Sequence, residues 1–97
     1  MTLNEWRDAC YKNANDHGWW DQPRSIPAVL CLIHSEVSEA LEAYRNRDDE
    51  NFAEELADVL IRVFDLAGYM AIDLDLQVKM KHEYNKQRPY RHGGKRL

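Results

Sequence analysis

The sequence predicts an all-α protein that folds as an antiparallel four-helix bundle. Apolar residues recur every three or four positions over most of the chain, which is the helical period. No stretch alternates apolar and polar residues for long enough to form a strand. The chain has 97 residues, of which 44% are apolar, and this fits one domain spanning residues 1–97. Short connections between the periodic stretches favour antiparallel neighbours.

The first helix is predicted over about residues 3–16. Thr2 and Glu5 have the spacing of a capping box, in which the hydroxyl and the carboxylate accept backbone N–H groups at a helix start. Gly18 suits the end of this helix because glycine adopts a positive φ without penalty. The next segment, residues 18–24, contains turn residues and has no periodicity, so it is predicted to be a loop.

The second helix is predicted over about residues 27–45. Ser25 can cap its start, and Pro27 is tolerated in a first turn. An apolar stripe then runs along it through Val29, Ile33, Val37, Ala40, Leu41 and Tyr44.

The third and fourth helices are predicted over about residues 50–71 and 74–87. Gly68 either ends the third helix or weakens it. Asp73 can cap the fourth, and Pro89 closes it off. The apolar stripes are Phe52, Leu56, Val59, Leu60, Val63, Phe64 and Ala67 on the third helix and Leu76, Met80 and Tyr84 on the fourth.

Two matched pairs of carboxylates lie on the second and third helices. Glu36 and Glu39 form one pair, and Glu55 and Asp58 form the other. Within each pair the acids are three residues apart, so both project from nearly the same helix face. Four carboxylates facing one another in a partly dry bundle would repel, and a bound divalent cation removes that conflict. Alternatively, some of these acids form surface ion pairs, as Asp58 could with Arg62.

Carboxylate oxygens select hard cations, so the predicted metal is Mg²⁺, with Mn²⁺ as a workable substitute. Magnesium keeps several waters, which leaves room for phosphate oxygens and an attacking water. The spacing therefore indicates phosphate chemistry.

Basic residues concentrate towards the C-terminus. Residues 1–72 carry 14 acids against 6 Lys and Arg, and residues 73–97 carry 3 acids against 7. Lys81, Asn85 and Arg88 share one face of the fourth helix and could hold a triphosphate, although a solvated face is an equal alternative. Four further basic residues in the tail could fold over a polyphosphate or could be disordered; they are Arg91, His92, Lys95 and Arg96.

Aromatic and thiol residues add further expectations. Trp20, in the loop, is the best candidate to stack on a nucleobase, whereas Trp6 is expected in the core. Cys10 and Cys31 are not spaced as metal ligands or as a redox pair, so both are expected to be buried free thiols in a reducing cytoplasm.

Location and assembly follow from the length and the hydropathy. The sequence has no run of about 18 apolar residues and no basic-then-apolar N-terminus, so neither export nor a membrane span is expected. A chain this short has a thin margin of stability alone, and self-association is therefore expected.

The chain resembles the MazG-like family of all-α nucleoside triphosphate pyrophosphohydrolases. The resemblance rests on Glu36-x-x-Glu39 and Glu55-x-x-Asp58 within residues 32–40 and 54–59, and on the ending at residues 84–95. It covers most of the chain, from about residue 17 onwards.

The resemblance implies Mg²⁺-dependent cleavage of a (deoxy)nucleoside triphosphate to the monophosphate and pyrophosphate, in nucleotide-pool housekeeping. It implies that the four carboxylates bind the metal, that Glu39 with Glu36 orients or deprotonates the water, and that Lys81, Asn85 and Arg88 contact phosphates. It also implies a dimer or tetramer with no nucleic-acid polymer as partner. Two alternatives stay open, a metal-binding helical interaction module without turnover and a phosphoribosyl-ATP-type pyrophosphohydrolase. The base, the sugar and the number of metal ions are not predicted.

Overall fold

The computed structural model describes residues 1–89 and contains four helices. They are α1 (Leu3–Asp16), α2 (Ile26–Arg45), α3 (Asp49–Tyr69) and α4 (Leu74–Lys86). No strand occurs in residues 1–89. The predicted all-α four-helix fold is confirmed, and the helix ends differ from the predicted ones by at most two residues.

The predicted caps fix where the helices start. Thr2 and Glu5 form the capping box of α1, and Ser25 accepts the N–H of Ala28 at the start of α2. Asp73 accepts the N–H of Leu76 at the start of α4. Each cap satisfies a backbone donor that the helix itself leaves free.

Helix α3 is the centre of the fold and packs against both α1 and α2. Gly68 lies inside α3 and does not end it. A Cβ at this position would overlap the Cβ of Tyr11 on α1, so the glycine allows α1 and α3 to approach closely. Gly18, by contrast, does follow the end of α1, with φ of 83°.

Helix α4 joins the rest of the molecule through the start of α1. The Asp75 carboxylate accepts the backbone N–H groups of Leu3 and Asn4, each at 3.1 Å. In return the Asn4 side-chain oxygen accepts the N–H of Leu74 at 2.8 Å, and its amide donates to Asp73 at 2.9 Å. Each helix start therefore satisfies free N–H groups of the other.

The buried core of one chain is small, and large apolar side chains remain exposed. The buried apolar residues are Val29, Ala40, Ala43 and Ala67. Leu41 on α2, Leu60 on α3 and Met80 on α4 are each more than half exposed.

Two burial predictions are wrong. Trp6 is 47% exposed and therefore does not lie in the core. Cys31 is exposed and Cys10 is only half-buried, although both thiols are free as expected. Cys31 is two positions after the buried Val29, which places it about 200° around α2, away from the packed side. No helix in the described part of the chain is long and apolar enough to cross a membrane.

Candidate metal centre and the adjoining pocket

Three of the four predicted carboxylates meet where α2 packs on α3. Glu36, Glu39 and Glu55 each offer one oxygen, and these oxygens lie within 4.8 Å of one another. Glu36 and Glu55 are half-buried, whereas Glu39 is exposed. We call these three residues the carboxylate cluster. The cluster forms because the spacing of three residues aims each acid along the side that faces the neighbouring helix.

Glu55 is the most perturbed member of the cluster. Burial raises its pKa, and the neighbouring carboxylates of Glu39, Asp58 and Glu36 raise it further. Its Oε2 atom is buried and has no hydrogen-bond partner within residues 1–89. A buried carboxylate oxygen without a donor calls for a proton or a cation. The all-oxygen donor set therefore fits a hard divalent cation such as Mg²⁺.

Asp58 lies one turn after Glu55, on the exposed surface of α3. It is outside the group of three oxygens, although its charge contributes to the raised pKa of Glu55. Its role as a fourth ligand stays a prediction.

Arg62 connects the carboxylate cluster to a second feature. Its Nε lies 3.3 Å from Oε1 of Glu36, and the two side chains are only 28% and 15% exposed. The contact runs between helices, in place of the possible pair with Asp58 along α3. The guanidinium carbon of Arg62 also lies 4.3 Å from the centre of the Trp19 ring. Arg24 lies over the same ring at 3.9 Å and donates from Nε to the Trp19 carbonyl at 2.7 Å.

These contacts border a pocket between α1, the loop after it and α3. The pocket has a volume of about 440 Å³, within the range of small-molecule sites. Its polar and aromatic lining residues are Asn13, His17, Trp19, Arg24, Arg62 and Asp65. We call it the Trp19 pocket.

A smaller cavity of about 260 Å³ adjoins the opposite side of the carboxylate cluster. Apart from Ala43, its lining is acidic or amide: Glu39, Glu42, Asn46, Asp48, Asn51 and Glu55. The cluster therefore lies between an acidic cavity and a pocket that carries cations and an aromatic ring.

Asp65 is a buried acid in the wall of the Trp19 pocket, with 6% exposure. Its Oδ1 accepts the indole N–H of Trp20 at 2.8 Å. Burial raises its pKa, and the Trp20 hydrogen bond and the charges of Arg62 and Arg24 oppose that rise. Trp20 itself stacks on Tyr69, with ring centres 4.1 Å apart and planes 9° from parallel. One face of Trp20 is thus occupied within the chain, and its role in base stacking stays a prediction.

The sequence-based reasoning missed the Trp19 pocket. One signal was present, since Asp65 is a single acid in the apolar run 63–67 of α3. A buried charge is rare without a partner or a function. The clustering of Arg24, Arg62 and Trp19 depends on how the loop folds back, which no spacing shows.

The predicted phosphate-binding residues do not reach the carboxylate cluster within one chain. Lys81, Asn85 and Arg88 are exposed, and α4 packs chiefly against α1. The Lys81 ammonium lies 4.6 Å from the ring centre of Tyr84. Their role stays a prediction, and the four basic tail residues at 91, 92, 95 and 96 lie outside the described residues.

Residues 24–91 match the family model described as the MazG nucleotide pyrophosphohydrolase domain. The match contains the whole carboxylate cluster and α2, α3 and α4. It excludes α1 and most of the following loop, which form one side of the Trp19 pocket. No protein of curated function and no solved structure matches the chain.

Proposed function

Because the chain belongs to the MazG nucleotide pyrophosphohydrolase family, we propose that it hydrolyses a (deoxy)nucleoside triphosphate to the monophosphate and pyrophosphate in a Mg²⁺-dependent reaction. The observation that carries the proposal is the carboxylate cluster, with its partnerless buried oxygen on Glu55. The proposed setting is nucleotide-pool housekeeping in the cytoplasm.

Each acidic residue has a separate part in the proposed reaction. Glu36, Glu39 and Glu55 would hold the cation, with Asp58 as the proposed fourth ligand, and Mn²⁺ could replace Mg²⁺. A bound Mg²⁺ supplies neutralisation of the charge that develops on the phosphate oxygens. Glu39 is the exposed member of the cluster, so its carboxylate is the one open to a water molecule. We assign Glu39, assisted by Glu36, to orienting that water and accepting its proton.

The proposal includes self-association as a dimer or tetramer. Exposed apolar residues follow helical spacing on α2 at Val37, Leu41 and Tyr44. They do so again on α3 at Leu56, Leu60 and Val63 and on α4 at Leu76, Met80 and Tyr84. A second copy would cover such stripes. It could also bring Lys81, Asn85 and Arg88 of one copy to the carboxylate cluster of another, where they would contact the phosphates.

A nucleotide panel tests the proposal. The folded protein is incubated with canonical and modified nucleoside triphosphates and Mg²⁺, and pyrophosphate and monophosphate are both measured. Glu39→Gln should abolish turnover and leave the helical circular dichroism unchanged. Glu54→Gln is the matched control, because Glu54 is exposed and outside the carboxylate cluster, and it should retain activity.

Other outcomes would replace the proposal. The first is a folded protein that hydrolyses no triphosphate but is stabilised by Mg²⁺ with or without nucleotide. This result would favour the non-catalytic interaction module. Turnover confined to a phosphoribosyl-nucleotide substrate would move the chain to the biosynthetic class of pyrophosphohydrolase.

A further inference from the structure

We propose that the Trp19 pocket holds the base of the nucleotide and that Asp65 selects bases that carry an exocyclic amino group. This inference rests on the proposed function and names the substrate class for that same site.

Arg62 links the Trp19 pocket to the carboxylate cluster. Arg62 contacts Glu36 of the carboxylate cluster at 3.3 Å and the Trp19 ring at 4.3 Å. One arginine side chain therefore spans from the metal centre to the pocket wall. A nucleotide with its phosphates at the cluster could therefore place its base in this pocket.

The smaller cavity is a poor alternative for the base. Four of its lining residues are acids, Glu39, Glu42, Asp48 and Glu55, and no aromatic side chain lines it. It offers no π-face on which a base could stack.

Asp65 provides a hydrogen-bond acceptor in the wall of the pocket. An ionised carboxylate only accepts hydrogen bonds, and Oδ1 of Asp65 already accepts the Trp20 N–H. The other oxygen remains to accept from a ligand in the pocket that Asp65 lines. An exocyclic amino group supplies that donor, whereas an oxo group in the same place would bring lone pairs against the carboxylate.

Trp19 supplies an independent observation. Its indole N–H is buried and has no partner within residues 1–89, although Trp19 lines the pocket. A buried donor without an acceptor is costly. Cytosine and adenine each carry a ring-nitrogen acceptor next to the amino group. The residues that line the pocket therefore include an acceptor, on Asp65, and a donor without a partner within residues 1–89, on Trp19, which match the amino group and the ring nitrogen of such a base.

Matched substrates test the selection. The ratio of kcat/KM is measured for dCTP against dUTP and for dATP against dITP. Within each pair the amino group is replaced by an oxo group, and the adjacent ring nitrogen changes from an acceptor to an N–H donor. In wild-type protein the amino member should be preferred by about tenfold or more in the pair whose ring size fits. A ratio near one in both pairs, or a preference for the oxo member, overturns the inference.

Substitutions assign the selection to Asp65. In Asp65→Asn the ratio should fall to about threefold or less, because the amide can accept or donate. Asp65→Glu keeps an acceptor-only carboxylate and should keep the amino preference with weaker binding, which covers the case in which the asparagine variant does not fold. The control Asp21→Asn removes one exposed negative charge from the loop between α1 and α2 and should leave the ratio unchanged. If Asp65 only anchors Trp20, the asparagine variant keeps the wild-type ratio.

A binding readout separates this inference from the proposed function. Tryptophan fluorescence is followed while dCMP or dUMP is added to the wild-type and Asp65→Asn proteins. Preferential binding of dCMP that is lost in the variant supports the pocket assignment even if no triphosphate is hydrolysed. Hydrolysis with equal binding of both monophosphates and equal substrate ratios overturns the assignment and leaves the hydrolase standing.

Discussion

The two charged regions of the molecule are built in different ways. The carboxylate cluster lies between α2 and α3, which pack against each other, and its acids lie within 4.8 Å. The basic face of α4 belongs to a helix that is joined at its start by polar contacts with α1. Residue spacing fixes which side chains share a helix face, but only packing decides which faces meet. The three acids of the carboxylate cluster meet within one chain, whereas the basic face of α4 has an exposed apolar stripe beside it.

The largest effect is expected from Glu55→Gln, which tests the acidic half of this comparison. Removing the charge of Glu55, whose Oε2 has no hydrogen-bond partner within residues 1–89, should lower turnover by at least about 100-fold. We also expect Mg²⁺ to raise the melting temperature of the wild-type protein, because a ligand that binds the folded state stabilises it, and we expect this rise to be absent in the variant. Scanning fluorimetry with and without Mg²⁺ measures the second effect. An unchanged Mg²⁺ response would show that the cation binds elsewhere.

Placing charges on the exposed apolar stripes of α2 and α3 tests the proposed self-association. Leu41→Glu together with Leu60→Glu should convert the proposed dimer or tetramer to monomers, because a charge within an apolar interface is costly to bury. Sedimentation velocity gives the mass. The control Asn15→Glu adds a charge to an exposed site on α1 and should leave the mass unchanged. A wild-type protein that is already monomeric at high concentration contradicts the proposed self-association.

Gly68→Ala tests the packing of α1 on α3, on which the Trp19 pocket depends. Helix propensity alone would favour alanine by about 1 kcal/mol. Since the added Cβ would overlap Tyr11, we expect a net loss of about 1–3 kcal/mol in the free energy of unfolding. Denaturant titration measures it. A gain in stability would mean that the two helices separate easily.

The smallest effects concern the pH dependence of stability. They should have opposite signs for Asp65 in the Trp19 pocket and for Asp73 at the joint of α1 and α4. Burial raises the pKa of Asp65, so its contribution to stability is greatest below the ordinary aspartate pKa and falls as the pH rises towards the raised value. Hydrogen bonds from Asn4 and from the Leu76 N–H lower the pKa of Asp73 at the joint of α1 and α4. Its contribution is present above the ordinary pKa and is lost as the pH falls through the lowered value.

Unfolding of Asp65→Asn and Asp73→Asn is therefore compared with wild type between pH 3 and pH 7. Relative to wild type, the Asp65 variant should gain stability as the pH rises, and the Asp73 variant should lose it. Slopes of the same sign would contradict the assigned environments.

Local signals in the sequence predicted most of the fold. Thr2, Ser25 and Asp73 cap the helices that they were expected to cap, because capping needs only neighbouring residues. Three of the four expected carboxylates meet for a similar reason, since their spacing matched on two adjacent helices. The remaining features needed tertiary information. Arg62 pairs with Glu36 across the helices. Asp65 is a candidate for base selection only because the loop folds back and Trp20 donates a hydrogen bond to it.

The joint between α1 and α4 has a mechanical consequence. A helix of this length extends about 20 Å, so a tilt of about 10° at one end displaces the other by about 3 Å. A tilt of α4 about its contacts with Asn4 would therefore displace most the proposed phosphate-binding residues, which lie towards the other end of the helix. A substitution at Asn4, which lies 77 to 84 positions before those residues in the chain, could alter how they are oriented without contacting any of them.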